Sequence, residues 1–247
     1  MGVFFAGFAA ISLFANVRFA SKDPHGPLSS PPHLKGRLLM PLSTLDAIPA
    51  LIVIDLQKGI VSLPTVHPAS EIVDRAARLA RAFRERGWPV VLVNVAGLAP
   101  GRTDAGPRQL AFQGDWTELV AGLNPQPGDH RVTKQRPGAF IGTDLDDYLR
   151  ASGVTQVVVV GVATSLGVEA TARSAYDHGY NVVLVVDAMT DRSAEAHRHS
   201  VEVIFPRLAE TGTTEQVLDL VGAAPKVHLA SVDEGKPPCG ITEWVSS

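Results

Sequence analysis

The sequence predicts an α/β fold in which a mostly parallel sheet is covered by helices on both faces. Three observations lead there. Four apolar runs, ALIVI, PVVLVNV, QVVVV and NVVLVV, are continuous rather than alternating, as strands buried on both faces read. The segments between them carry apolar residues at helical spacing. Strand and helix signals alternate along the chain, which is the pattern of βαβ units.

The elements follow in order. Ala50–Ile54 is the first strand and ends in Asp55. Ser70 can cap a helix carrying Ile72, Ala76, Leu79 and Phe83, with Gly87 as its stop. Pro89–Val95 is the second strand. Residues 96–115, rich in Gly, Pro and Arg, form a loop long enough to be functional. A short strand at Arg131–Thr133 ends at Lys134. Thr143 can cap a helix with Leu145, Tyr148 and Leu149, closed by Gly153. Gln156–Val160 is the next long strand and runs into Gly161. Val168, Ala172, Ala175 and Tyr176 mark a helix face that stops at Gly179, and Asn181–Val186 is a further strand. A helix from about Ser193 carries Val201, Ile204 and Leu208, and Pro206 should limit its regular part. Thr213 and Gln216 form a capping box before Val217, Leu218 and Val221.

These elements place the domain at residues 48–222, between an extension and linker (1–47) and a polar tail (223–247). Residues 2–17 are apolar and uncharged but fall short of the roughly 20 residues a membrane span needs. No Lys or Arg precedes them, as a signal peptide would require. The preferred expectation is that translation starts at Met40; a signal segment is the alternative.

The 247 residues are 45% hydrophobic, enough for one full core. Net charge is -3, with no basic cluster or basic–aromatic stripe, so no nucleic-acid partner is expected. A single cysteine, Cys239, excludes an intrachain disulfide and a thiolate metal cluster, which suits the cytoplasm.

Ligands of a parallel sheet bind beyond the carboxyl ends of its strands. Asp55, Lys134 and the segment Thr164–Gly167 fall there. Asp55 reads either as a turn-capping carboxylate or as an acid–base group whose pKa burial raises and a cation lowers. Gln57 could aim its amide into the same cleft. Lys134 is either a solvated charge or the partner of that carboxylate. Arg136 could clamp a substrate carboxylate with two prongs. The GVATSLGV turn opens a helix, whose free N–H groups attract negative charge and could stabilise an oxyanion; the other reading is a small-residue turn needed for packing. His197 and His199 point in different directions on a helix and make a poor metal pair.

The segments ALIVIDLQKG, VTKQRPGAF and VVVVGVATSLGVEATARSAYDHGYNVVLVVDAMTD resemble, in order, the three sequence blocks of the isochorismatase-like hydrolase superfamily. The resemblance covers residues 48–222 and implies a three-layer Rossmann-like fold. It also implies an Asp–Lys–Cys constellation, with Asp55 and Lys134 as the first two members. Gly167 stands where amidase members carry the nucleophilic cysteine, and Val162–Ala163 matches a non-proline cis peptide that would turn the Ala163 and Gly167 amides toward substrate.

Without a thiolate the acyl-enzyme route is closed. Isochorismatases of the family work without one: the Asp protonates a vinyl carbon and water adds to the resulting cation. The Lys-x-Arg-x-x-Ala-Phe spacing at Lys134, Arg136, Ala139 and Phe140 resembles their version of the second block, which makes Arg136 and Phe140 substrate-binding candidates. The VATSLGVEATAR segment resembles the amidase branch instead.

The expectation is a homo-oligomeric hydrolase of a small, anionic molecule, with no cofactor and no catalytic metal, since residues 96–116 lack the His ligands of the family's nicotinamidases. Water-mediated amide or ester hydrolysis and a disarmed binding protein are the alternatives. Enol-ether chemistry needs a protonated Asp55, so burial must outweigh the influence of Lys134.

Overall fold

A computed structural model describes residues 42–104 and 112–225. Six strands form one parallel sheet: β1 (Pro49–Ile54), β2 (Val90–Val95), β3 (His130–Lys134), β4 (Gln156–Val162), β5 (Asn181–Thr190) and β6 (Glu210–Gly212). Their spatial order is β3-β2-β1-β4-β5-β6. The helices are α1 (Lys58–Val61), α2 (Ala69–Glu85), α3 (Leu145–Ala151), α4 (Glu169–Asp177), α5 (Ala194–His199) and α6 (Thr214–Ala223). The fold is α/β and Rossmann-like, with helices on both faces.

Alternate residues of β1, β2, β4 and β5 feed two separate cores. On one face Leu51, Val53, Val158, Val160 and Val183 pack against Ile72, Leu79 and Phe83 of α2 and Val217 of α6. On the other face Ile52, Ile54, Val91, Val157 and Val159 pack against Leu149 of α3 and Ala172 and Ala175 of α4. This two-sided burial is why the strands read as unbroken apolar runs.

Several boundaries differ from expectation. The N-cap of α2 is Pro68, so Ser70 lies inside the first turn. At α3 the N-cap position is Asp144; the Thr143 hydroxyl donates to the Ala139 carbonyl and accepts only a long 3.4 Å bond from the Leu145 N–H. The capping box at Thr213 and Gln216 is present. The predicted helix through Pro206 is broken into α5, a π-helical turn Ser200–Ile204 and a 3-10 turn Phe205–Arg207. Strand β6 was not expected: its sequence, ETG, has no apolar alternation to signal it.

Residues 42–47, expected to belong to the extension, pack on the domain. Leu42 is buried in the first core, and Asp46 accepts hydrogen bonds from Thr155 Oγ1 and Asn181 Nδ2. The apolar segment 2–17, Met40 and most of the tail, with Cys239, lie outside the described residues. No helix among the described residues is long and apolar enough to cross a membrane.

The chain runs outward from β1 to β2 and β3, then returns to place β4 on the other side of β1. Strand order therefore reverses between β1 and β4, and the region beyond their carboxyl ends is where such a sheet places its ligand.

Candidate active site

Asp55 follows directly on β1 with a left-handed φ of 51°, its N–H donating to the Val93 carbonyl. That backbone geometry is uncommon outside glycine, although Asp tolerates it better than most residues. The side chain is buried at 5% exposure. Lys134 ends β3, is 2% exposed, and places Nζ 2.8 Å from Asp55 Oδ2. Its ammonium also donates to the Pro137 carbonyl at 2.7 Å, which folds the following loop back over the pair.

The carboxyl's two oxygens differ sharply. Oδ2 carries the lysine contact, whereas Oδ1 is buried with no hydrogen-bond partner among the described residues. An unsatisfied buried carboxylate oxygen is costly, which shifts Asp55 toward its protonated form relative to an exposed carboxyl. Burial pushes its pKa up to about 6, and Lys134, by its charge and its hydrogen bond, pulls in the other direction and loses.

The third wall is the turn after β4. Gly161, paired with Ile54, has φ 121°, and a Cβ there would fall 2.1 Å from the Ile54 carbonyl oxygen. Only glycine lets β4 approach β1 this closely. A cis peptide joins Val162 to Ala163, and a π-helical turn, Thr164–Val168, leads into α4. The Ala163 carbonyl accepts the Leu166 and Val168 N–H groups, closing the turn. At Gly167 a Cβ would stand 3.2 Å from Asp55 Oδ2, 3.0 Å from Ile54 Cγ2 and 3.3 Å from the Val162 oxygen. Position 167 thus faces the carboxyl, and the site is drawn in around the missing side chain. Buried Thr171 ties this turn to the lysine loop: its hydroxyl donates to the Gly167 carbonyl (2.7 Å) and accepts from the Ala139 N–H (3.2 Å). Nothing in the sequence pattern marked Thr171.

The remaining substrate-binding candidates separate. Gln57 is fully buried, and its amide is spent on backbone: Nε2 donates to the Val95 and Trp116 carbonyls and Oε1 accepts from the Val95 N–H. It fastens the loop after β2 to the loop after β1, a scaffold role in place of the expected substrate contact. Phe140 is likewise a core residue, 6% exposed and stacked on His178 with ring centroids 5.1 Å apart. Arg136 is exposed and makes no ion pair among the described residues. The loop segment 112–120 is clamped beside the site. Lys58 Nζ bridges Asp115 and Glu118 at 2.7 Å each, and the Trp116 indole occupies the space where a side chain at Gly59 would be.

The donor set is thus one buried carboxyl and one ammonium. Among the described residues no three His, Cys, Asp or Glu side chains converge where they could hold a metal ion. The arrangement can hold a proton on the Asp55 carboxyl, whose Oδ2 lies beside the glycine turn and whose Oδ1 is free to carry the proton.

An isochorismatase-domain profile matches residues 49–216. The chain is 41% identical over 181 residues to YwoC, an uncharacterized isochorismatase family protein of Bacillus subtilis, covering 70% of this chain and 93% of that one. It is 33% identical over 154 residues to a Pseudomonas chlororaphis protein named "Probable isochorismatase", covering 60% and 74%. The solved structure of an isochorismatase family protein from Burkholderia thailandensis superposes with a TM-score of 0.70 at 41% identity, over 72% of this chain and 98% of the other. This chain, with its aspartate and lysine at the switch point of the sheet, belongs to the isochorismatase family of hydrolases.

Proposed function

We propose that the protein hydrolyses an enol ether of a small anionic metabolite of the isochorismate type, with Asp55 as general acid. One observation carries this reading: a buried carboxyl, titrating at about 6, lies against a glycine turn and keeps one oxygen without a hydrogen-bond partner among the described residues.

Lys134 holds Oδ2, so the transferable proton resides on Oδ1. The vinyl carbon takes that proton, its π pair forming the new C–H bond, and the adjoining carbon becomes an oxocarbenium ion. Water adds to this cation and returns a proton to the Asp55 carboxylate. The resulting hemiketal collapses to a ketone and an alcohol, which breaks the C–O bond. Lys134 stabilises the carboxylate left after proton transfer. Gly167 keeps a side chain out of the narrow space beside the acid, and the Ala163 and Gly167 amides border the substrate. Arg136, unpaired among the described residues, is available to a substrate carboxylate through a two-pronged contact. The protein works in the cytoplasm without metal or cofactor, as a homo-oligomer.

A second reading has a specific observation in its favour. A group titrating at about 6 is mostly ionised at neutral pH, so Asp55 could instead act as base toward a water attacking an amide or ester. A substrate panel separates the two. Isochorismate and related enol ethers should turn over, and Asp55→Ala should abolish that turnover. Enol ethers inert at high enzyme concentration, with amides or esters cleaved, would favour the base mechanism. Inertness toward every class would mean a binding protein.

A further inference from the structure

Behind the glycine turn lies a polar cluster that the proposed chemistry does not use. Thr164, the first residue of the turn after the cis peptide, is fully buried, and its hydroxyl lies 2.8 Å from His197 Nδ1. His197 belongs to α5, a helix that buries none of its own residues. A helix contributing nothing to the core therefore delivers one side chain to one buried hydroxyl. The Thr164 hydroxyl has no other hydrogen-bond partner among the described residues.

His197 is itself braced. Its ring meets His67 edge-on, with centroids 4.9 Å apart, and His67 Nδ1 lies 3.3 Å from the hydroxyl of buried Thr190 at the end of β5. Asp191 holds the neighbouring residue of the turn, accepting from the Ser165 N–H (2.7 Å) and hydroxyl (2.8 Å). Burial and the neighbouring His67 lower the His197 pKa, against the opposing charge of Asp191. A neutral ring leaves Nδ1 free to accept the Thr164 O–H.

The far end of the same turn is Gly167, whose Cβ position is 3.2 Å from Asp55 Oδ2. The turn is one of the walls that keep this carboxyl from water, and dehydration is the largest influence on its titration.

We propose that His197 is a positioning residue: through the Thr164 hydroxyl it fixes the Ala163–Gly167 turn against Asp55 and keeps that carboxyl dry. Its effect on turnover rests on the reading of Asp55 as the acid; its effect on Asp55 itself does not.

The test uses the full chain with ¹³C-labelled aspartate, titrating Asp55 by NMR, alongside steady-state kinetics on an enol ether. The variants are His197→Ala, His197→Asn, Thr164→Val and Thr164→Ser. Asparagine presents an amide near the Nδ1 position, and serine retains the hydroxyl. In His197→Ala and Thr164→Val, Asp55 should titrate lower, toward the ordinary carboxylate range. Their kcat should fall by about tenfold or more, with KM changed by no more than about twofold. His197→Asn and Thr164→Ser should restore both readouts most of the way. The double variant Thr164→Val/His197→Ala should be no worse than the poorer single one, since both act through one bond.

The proposal is overturned if Asp55 titrates unchanged in folded His197→Ala and Thr164→Val, or if the two conservative variants behave as their truncated counterparts do. If the wild-type protein turns over no enol ether, the acid reading fails, and the Asp55 titration still decides the role of His197.

Discussion

Replacing Lys134 with methionine should extend activity to higher pH. In the native site Lys134 Nζ is 2.8 Å from Asp55 Oδ2, with both groups buried, and the carboxyl still titrates at about 6 because burial outweighs the cation. An opposite charge at this range lowers a carboxyl by about 1 to 3 pH units, so its removal should raise Asp55 by that amount. At pH 7 the native acid is only about one-tenth protonated, and the Lys134→Met acid is at least half protonated. The fold should tolerate the change. A lone buried carboxyl can take up a proton, and so avoids the 3–5 kcal/mol that a stranded buried charge costs, about the largest single-site penalty expected here. The assay is kcat/KM for an enol ether from pH 5 to 9. The native curve should fall above about pH 6, and the variant curve should fall about 1 to 3 pH units higher, from a lower plateau because the carboxylate product of proton transfer has lost its cation. A falling limb that stays in place or moves to lower pH would refute the electrostatic account. A limb that rises with pH in the native enzyme and moves upward in the variant would mark Asp55 as a base.

Two further outcomes follow from the same geometry. Gly167→Cys should not restore amide hydrolysis, because its Cβ meets three atoms at 3.0–3.3 Å. Overpacking of this kind costs about 1–3 kcal/mol, and each kcal/mol lowers Tm by about 2–4 °C in a chain of this size. Amide turnover in that variant, seen by product release, would identify a disarmed amidase. Asp55 should also make stability depend on pH. Its folded-state pKa is raised above the unfolded value, so its contribution is complete below about pH 4 and is lost as pH rises through about 6. The difference amounts to about 2.5 kcal/mol between pH 4 and pH 8. Urea denaturation should show this fall in the native protein and not in Asp55→Asn; parallel pH–stability curves would contradict it.

Much of the fold was legible because its signals are local. The buried strands are apolar on both faces, and Asp55 and Lys134 stand at the ends of β1 and β3, where a parallel sheet places its ligands. What was not legible depends on distant partners. Gln57 looked like a substrate contact because its amide meets Val95 and Trp116 only when the loop after β2 folds back. Phe140 belongs to the same short sequence block as Lys134, yet its ring turns to His178 in the core. His197 and Thr164 are 33 positions apart, and no periodicity joins them. Strand β6 has three residues and no pattern of its own; it exists because β5 offers an edge. The protonation of Asp55 was open for a different reason. Burial and Lys134 act with opposite sign, and only their geometry decides which prevails.

The most direct test of the acid mechanism is the fate of one proton. Hydrolysis of an enol ether in D₂O, with product examined by mass spectrometry at early times, should place a single deuterium on the former vinyl carbon. Asp55→Ala should form no labelled product above the uncatalysed rate. Turnover that leaves that carbon without deuterium, or labelled product formed at the native rate by Asp55→Ala, would contradict the assignment of Asp55 as the acid that starts the reaction.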